Sequence, residues 1–133
     1  EIPEIDDGTI EIKSVSREAG SRAKVAVYST QEGLDTVGAC IGQKGQRIKT
    51  IVDELNGEKI DIIEWVADKA EFVKASLSPA QVKTVEILED HVTARVVVHP
   101  SQLSLAIGKS GQNARLAAKL TNMRIDIKTE EVK

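Results

Sequence analysis

Apolar and polar residues alternate in "EIKSVS" and run more continuously in "AKVAVYS", with "REAGSR" between them. A period of two broken by a glycine-containing segment predicts two strands joined as a hairpin. In "GLDTVGACIG" the pattern becomes that of a short helix stopped at Gly42. "GQRIKTIVDELNG" then places Ile48, Ile51, Val52 and Leu55 at helical spacing, with Gly57 as its stop. "KIDII" closes the stretch as a strand.

The same order then repeats. "VKTVEILED" and "TARVVVH" predict a second hairpin, "SQLSLAIG" and "GQNARLAAKLTN" two more helices, and "RIDIK" a closing strand. The copies align at an offset of 66 from Gly42 to Gly108 and of 65 from Ile60 to Ile125. One residue is therefore lost before the last strand. A repeat of whole elements organises the chain. Between the copies, "DKAEFVKASLSPAQ" predicts a helix ended before Pro79, because a residue preceding proline avoids helical dihedrals. With Phe72, Val73 and Leu77 and little Gly or Ser, this segment is expected to pack on the body and hold the copies in a fixed relation.

Composition narrows the function classes. At 133 residues, two units of about 65 each bury only about 60% of their unfolded surface, so each is modestly stable. No apolar run approaches the roughly 20 residues of a membrane span. The single cysteine, Cys40, excludes an internal disulfide and fits a reducing cytoplasm. The chain starts at Glu1 without Met and reads as a piece of something longer. Its net charge of −3 disfavours an indiscriminate polyanion binder, but the charge is unevenly spread. Residues 39–50 hold Lys44, Arg47 and Lys49 and no acid, and residues 105–119 hold Lys109, Arg115 and Lys119 and no acid. Residues 53–71 carry seven acids against Lys59 and Lys69. Positive charge gathers on the two glycine motifs.

Those motifs are "CIGQKGQRI" and "AIGKSGQNA". Glycine permits a sharp turn and close backbone approach. The helix starting at each loop points free N–H groups and its positive dipole end at whatever docks there. Lys44 and Lys109 add formal charge, while Ile41, Ile48, Ile107 and the closing strands offer an aliphatic groove beside the loop. This combination suits a sugar-phosphate backbone over the loop and bases in the groove. A plain helix-turn-helix corner is the competing account of one motif, and two matched basic copies make it the weaker one.

Sharper chemistries fail on spacing. "GKS" at 108–110 imitates a nucleotide-binding P-loop, but Leu103 stands where its first glycine belongs. Neither site has the Gly-x-Gly pair of a dinucleotide fold. His91 and His99 lack a third ligand, so no metal site is expected. Cys40 reads as a small buried hydrophobe, since the motif holds neither His nor acid to activate it. Neither catalysis nor a cofactor is expected. Tyr28, Trp65 and Phe72 are the only aromatics and lie outside both motifs, which opposes folds that stack bases on aromatic platforms.

On "REAGSRAKVAV", "GACIGQKGQRI", "GEKIDII", "LSPAQV" and "QLSLAIGKSGQNARLAAKLT", the chain resembles tandem K-homology (KH) domains of the type II, prokaryotic arrangement. The pair is similar to that of a bacterial transcription elongation, termination and antitermination factor. The resemblance implies an α+β fold of two KH domains, at 1–67 and 68–133, each a three-stranded mixed sheet with helices on one face. It implies single-stranded RNA, the nascent transcript, as ligand, with each loop holding about four nucleotides. The site carried over comprises Ile41, Gly42, Gln43, Lys44, Gly45, Gln46, Arg47, Ile48 and Lys49, and then Ile107, Gly108, Lys109, Ser110, Gly111, Gln112, Asn113 and Arg115. RNA polymerase and other antitermination factors are implied partners through segments outside this chain, with a monomer and no membrane. Asn122 and Met123 depart from the family, which often has Gly-Trp there. A KH appendage of an RNA-processing enzyme or GTPase, and a protein-docking scaffold, are the rival readings. The tandem repeat disfavours the single-KH GTPases, and the lysine without an acid in each loop disfavours a scaffold copy that has lost its RNA.

Overall fold

The first element is one that the hydrophobic pattern did not reveal. In the computed structural model, which describes residues 1–130, the short helix α1 (Pro3–Asp6) precedes the hairpin. Four residues cannot sustain a helix by hydrogen bonding alone. Ile2 and Ile5 hold it by packing against the core formed by Ile10, Val27 and Cys40.

Strands β1 (Ile10–Glu18) and β2 (Arg22–Ser29) run further than their alternating segments, leaving only residues 19–21 of "REAGSR" as the turn. Glu58 anchors that end. It accepts two hydrogen bonds of 2.8 Å from Arg17 and one of 2.8 Å from the Gly20 amide. The Arg17 guanidinium and then the Gly20 N–H hold the buried Glu58 carboxyl below its ordinary pKa. Strand β2 next leads into helix α2 (Thr36–Ile41), helix α3 (Gln46–Glu54) and strand β3 (Lys59–Glu64). Strand β3 pairs parallel with β2, while β1 pairs antiparallel on the other side. Parallel neighbours need a crossover, and the two helices supply it.

The second unit repeats the plan with a longer leading helix. Helix α4 (Lys69–Ser76) is capped by Asp68, whose carboxylate accepts from the Glu71 amide at 3.2 Å. Strands β4 (Thr84–Ile87) and β5 (Thr93–Val98), helices α5 (Leu103–Ile107) and α6 (Gln112–Thr121), and strand β6 (Arg124–Thr129) follow. The sheet order is β4-β5-β6, antiparallel and then parallel. Val73 of α4 and Leu77 at its C-terminal cap belong to the core of this unit, with Val96, Val98, Ala106 and Ala117. The segment read from its sequence as both linker and leading helix is thus an integral element of the second unit. The departure at residues 122–123 leaves the fold intact. Asn122 takes the left-handed conformation (φ 55°) that ends α6, and Met123 is buried in the same core. The chain divides into Glu1–Trp65 and Val66–Lys133, joined by a short stretch between Glu64 and the Asp68 cap.

Candidate nucleic-acid interface

Each glycine loop is a single tight turn between two helices, and the two turns share one backbone path. Gly42 has φ 83° and ψ 169°, and Gly108 has φ 80° and ψ 169°. These values end α2 and α5. Lys44 (φ 56°, ψ 28°) matches Ser110 (φ 55°, ψ 28°), and Gly45 (φ 71°) matches Gly111 (φ 75°). The Gly45 amide donates to the Gly42 carbonyl at 3.0 Å, and the Gly111 amide donates to the Gly108 carbonyl at 3.1 Å.

The two glycines of a loop are needed for different reasons. A Cβ on Gly42 would lie 2.7 Å from Arg47 Cγ and 2.9 Å from the Arg47 amide nitrogen. On Gly108 it would lie 2.6 Å from the Asn113 amide nitrogen. The first glycine therefore lets the next helix pack onto the turn. At Gly45 an added Cβ would meet nothing nearer than Ile48 Cγ2 at 4.0 Å, and at Gly111 nothing nearer than Arg115 Nη1 at 3.8 Å. The second glycine answers to its positive φ alone and leaves the outer side of the loop open to an incoming backbone.

Electrostatics follow from the same path. Neither α3 nor α6 receives a side-chain N-cap. The Gln46 and Gln112 amides bond back to the Gln43 and Lys109 carbonyls, and both helix starts set their positive dipole end beside the loop. Gln43, Lys44, Lys109 and Ser110 are exposed, as are Lys49 and Arg115 on the following helices. Among the described residues Lys44 and Lys109 have no ion-pair partner, while Arg115 Nη1 folds back to the Ser110 carbonyl at 3.0 Å. Ile107 is exposed on the surface, whereas Ile41 and Ile48 are half-buried. Gln46 is exposed and Gln112 half-buried at the helix starts.

Two of the expected site residues sit differently from the rest. The Asn113 side chain is buried, and its amide donates to the Leu77 carbonyl at 3.0 Å and the Ala106 carbonyl at 2.9 Å. It ties the end of α5 to the end of α4, and only its backbone belongs to the loop. Arg47, at the matching position of the first unit, donates through Nη1 to Glu4 Oε2 at 2.6 Å, to Glu4 Oε1 at 3.1 Å and to the Ala39 carbonyl at 2.8 Å. An open cleft of about 740 Å³, lined by Glu4, Ala39, Gly42, Lys44, Gln46 and Arg47 among others, runs beside this loop. Sequence reading missed Glu4. It lies 43 residues from Arg47, so no local motif signals it.

The remaining candidates have structural places. Cys40 is fully buried, and burial pushes its thiol pKa up. His91 occupies a left-handed turn and accepts a bond from Lys69 through its carbonyl, and His99 accepts from the Ser101 amide. Among the described residues no three His, Cys, Asp or Glu side chains gather as a metal site. Tyr28 and Trp65 meet edge to face at 5.5 Å with Lys13 over both rings, and Phe72 is buried on α4.

Two mixed three-stranded sheets, each with a Gly-x-x-Gly turn between its crossover helices, define a tandem KH protein of the type II order. Residues 1–65 match the model of the NusA-like first KH domain, and residues 69–133 match that of the NusA-like second KH domain. The chain belongs to this NusA-like KH family. The transcription termination/antitermination protein NusA of Halalkalibacterium halodurans is 58% identical over 130 residues, covering 98% of this chain and 34% of that protein. The protein of the same name from Bacillus subtilis is 57% identical, with 98% and 35% covered. That from Thermus thermophilus is 51% identical, with 99% and 34% covered. The chain thus spans about a third of the length of these curated relatives. Among solved structures, the crystal structure of APE1850 superposes with a TM-score of 0.65 at 26% identity, covering 96% of this chain and 94% of that one.

Proposed function

We propose that the chain binds single-stranded RNA through both glycine loops and performs no catalysis. The observation that carries this is the pair of matched turns. Each combines a helix start without a side-chain cap, a positive-φ glycine and an exposed lysine, at the third position of the first loop and the second position of the other. Phosphates fit such a turn because amides, dipole and lysine act together. Within a longer protein of the NusA kind, the RNA is the nascent transcript, and the outcome is altered pausing, termination or antitermination. RNA polymerase and other antitermination factors engage other segments of that protein. The chain acts in the cytoplasm as a monomer. No helix among the described residues is long and apolar enough to cross a membrane.

Titrating short labelled single-stranded RNAs into the chain, with duplex DNA as control, tests the reading. Two loops with one or two cations each neutralise few phosphates, so the log–log salt slope is expected at about −2 to −4. Equal affinity for duplex DNA, or a slope near about −8, would point to a broad electrostatic surface in place of the loops.

A further inference from the structure

We infer that Glu4 occupies the phosphate place of the first loop, so that RNA must displace it from Arg47. The inference rests on the RNA reading above and adds an affinity-determining residue to it. A carboxylate and a phosphate offer a guanidinium the same paired oxygens. Glu4 presents both oxygens to Arg47 Nη1, at 2.6 and 3.1 Å, on the wall of the cleft that holds Gly42 and Lys44. The Arg47 guanidinium also donates to the Ala39 carbonyl at 2.8 Å, a contact that does not depend on Glu4 for its acceptor. Arg47 and Glu4 are about one-third exposed, with side-chain exposures of 34% and 27%, so an exchange of partners is open to solvent. Arg47 also holds the Glu4 carboxyl below its ordinary pKa, which keeps it ionised and competitive. The second loop has no such competitor at the matching position, because Asn113 is buried and bonded to backbone carbonyls.

The test is Glu4→Gln in the whole 133-residue chain, titrated with a labelled single-stranded RNA of about five nucleotides, so that one loop is filled at a time. To isolate the first loop, both chains carry Lys109→Asp and Ser110→Asp. Removing the competitor should tighten binding about two- to fivefold, the range of one exposed ion pair. It should also steepen the salt slope by about 0.7, because Arg47 then releases its own counterion when phosphate arrives. In an Arg47→Gln background the same change should have no effect. A second readout needs no change at Glu4. On RNA addition the Arg47 guanidinium nitrogen signal should shift, and the Glu4 carboxyl carbon should move towards a solvated carboxylate. Weaker or unchanged binding by Glu4→Gln, or a Glu4 signal that stays put while RNA binds, overturns the exchange and leaves the RNA reading standing. RNA that fails to bind the unaltered chain overturns both.

Discussion

The two glycine loops follow the same backbone path and are secured by unlike chemistry. Gly42 and Gly108 differ by 3° in φ and not at all in ψ. Five residues after each, Arg47 reaches a surface carboxylate, while Asn113 is sealed inside and bonded to two carbonyls. The path is therefore dictated by the glycines and the helix that packs on them, not by the side chain that follows. What differs is how easily each loop is disturbed. The first is held partly by a solvent-accessible ion pair of the kind that contributes little, and the second by a buried amide that donates to two carbonyls.

The largest effect is expected where both loops are attacked together. Gln43→Asp with Lys44→Asp, combined with Lys109→Asp and Ser110→Asp, should weaken RNA binding by about a hundredfold or more, since four acids repel phosphate. The fold should survive, because aspartate tolerates the left-handed conformation found at residues 44 and 110. Unchanged circular dichroism with unchanged RNA affinity would remove the loops from the site. Either pair alone shows which loop contributes more.

RNA length is next in size. The connection between units is short, so two sites on one strand act at high effective concentration. An RNA of about ten nucleotides should bind at least about tenfold tighter than one of about five. If either acid pair alone leaves the longer RNA as tightly bound as before, the other loop works by itself.

Stability should separate the glycines. Gly108→Ala and Gly42→Ala face both a positive φ and contacts of 2.6 to 2.7 Å, and each should cost about 2–4 kcal/mol in thermal or denaturant unfolding. Gly45→Ala and Gly111→Ala meet only the unfavourable φ, at about 1–2 kcal/mol. Asn113→Ala should cost about 2–3 kcal/mol, and Arg47→Ala about 1 kcal/mol or less. Equal losses at positions 47 and 113 would erase the contrast drawn above.

Acid gives the smallest effect. Arg17 and the Gly20 amide depress the Glu58 pKa in the fold, so its contribution is present above the ordinary glutamate value and is lost as pH falls through the folded-state pKa. Glu58→Gln should flatten that acid dependence in the first unit. Asp90, lowered by the Thr93 hydroxyl and then by the Val92 and Thr93 amides, gives Asp90→Asn the same role in the second.

Much of this organisation was legible because it is written locally. Alternation, helical spacing and the Ile-Gly-x-x-Gly-Gln repeat each lie within about ten residues, and they yield both hairpins, both crossover helix pairs and both loops in order. The α4 helix before Pro79 was legible too, as was its role as the leading helix of the second unit. Helix α1 was not, because four residues carry no period and its reason is burial of Ile2 and Ile5 elsewhere in the unit. The hairpin end at Glu18 was read short because its anchor, Glu58, is 41 residues from Arg17. Counting charge along the chain gave the first loop no acid, yet α1 brings Glu4 to it. Asn113 looks like a surface amide in "GQNARLAAKL", and only the turn of α6 carries it inside.

Amide chemical shifts of the nitrogen-15-labelled chain during titration with a ten-nucleotide single-stranded RNA test the central claim most directly. The account predicts that the largest changes fall at 42–47 and 108–113, in both loops at the same RNA concentration. Changes concentrated instead on the exposed strand residues Ile12, Val15 and Tyr28, with both loops silent, would contradict it.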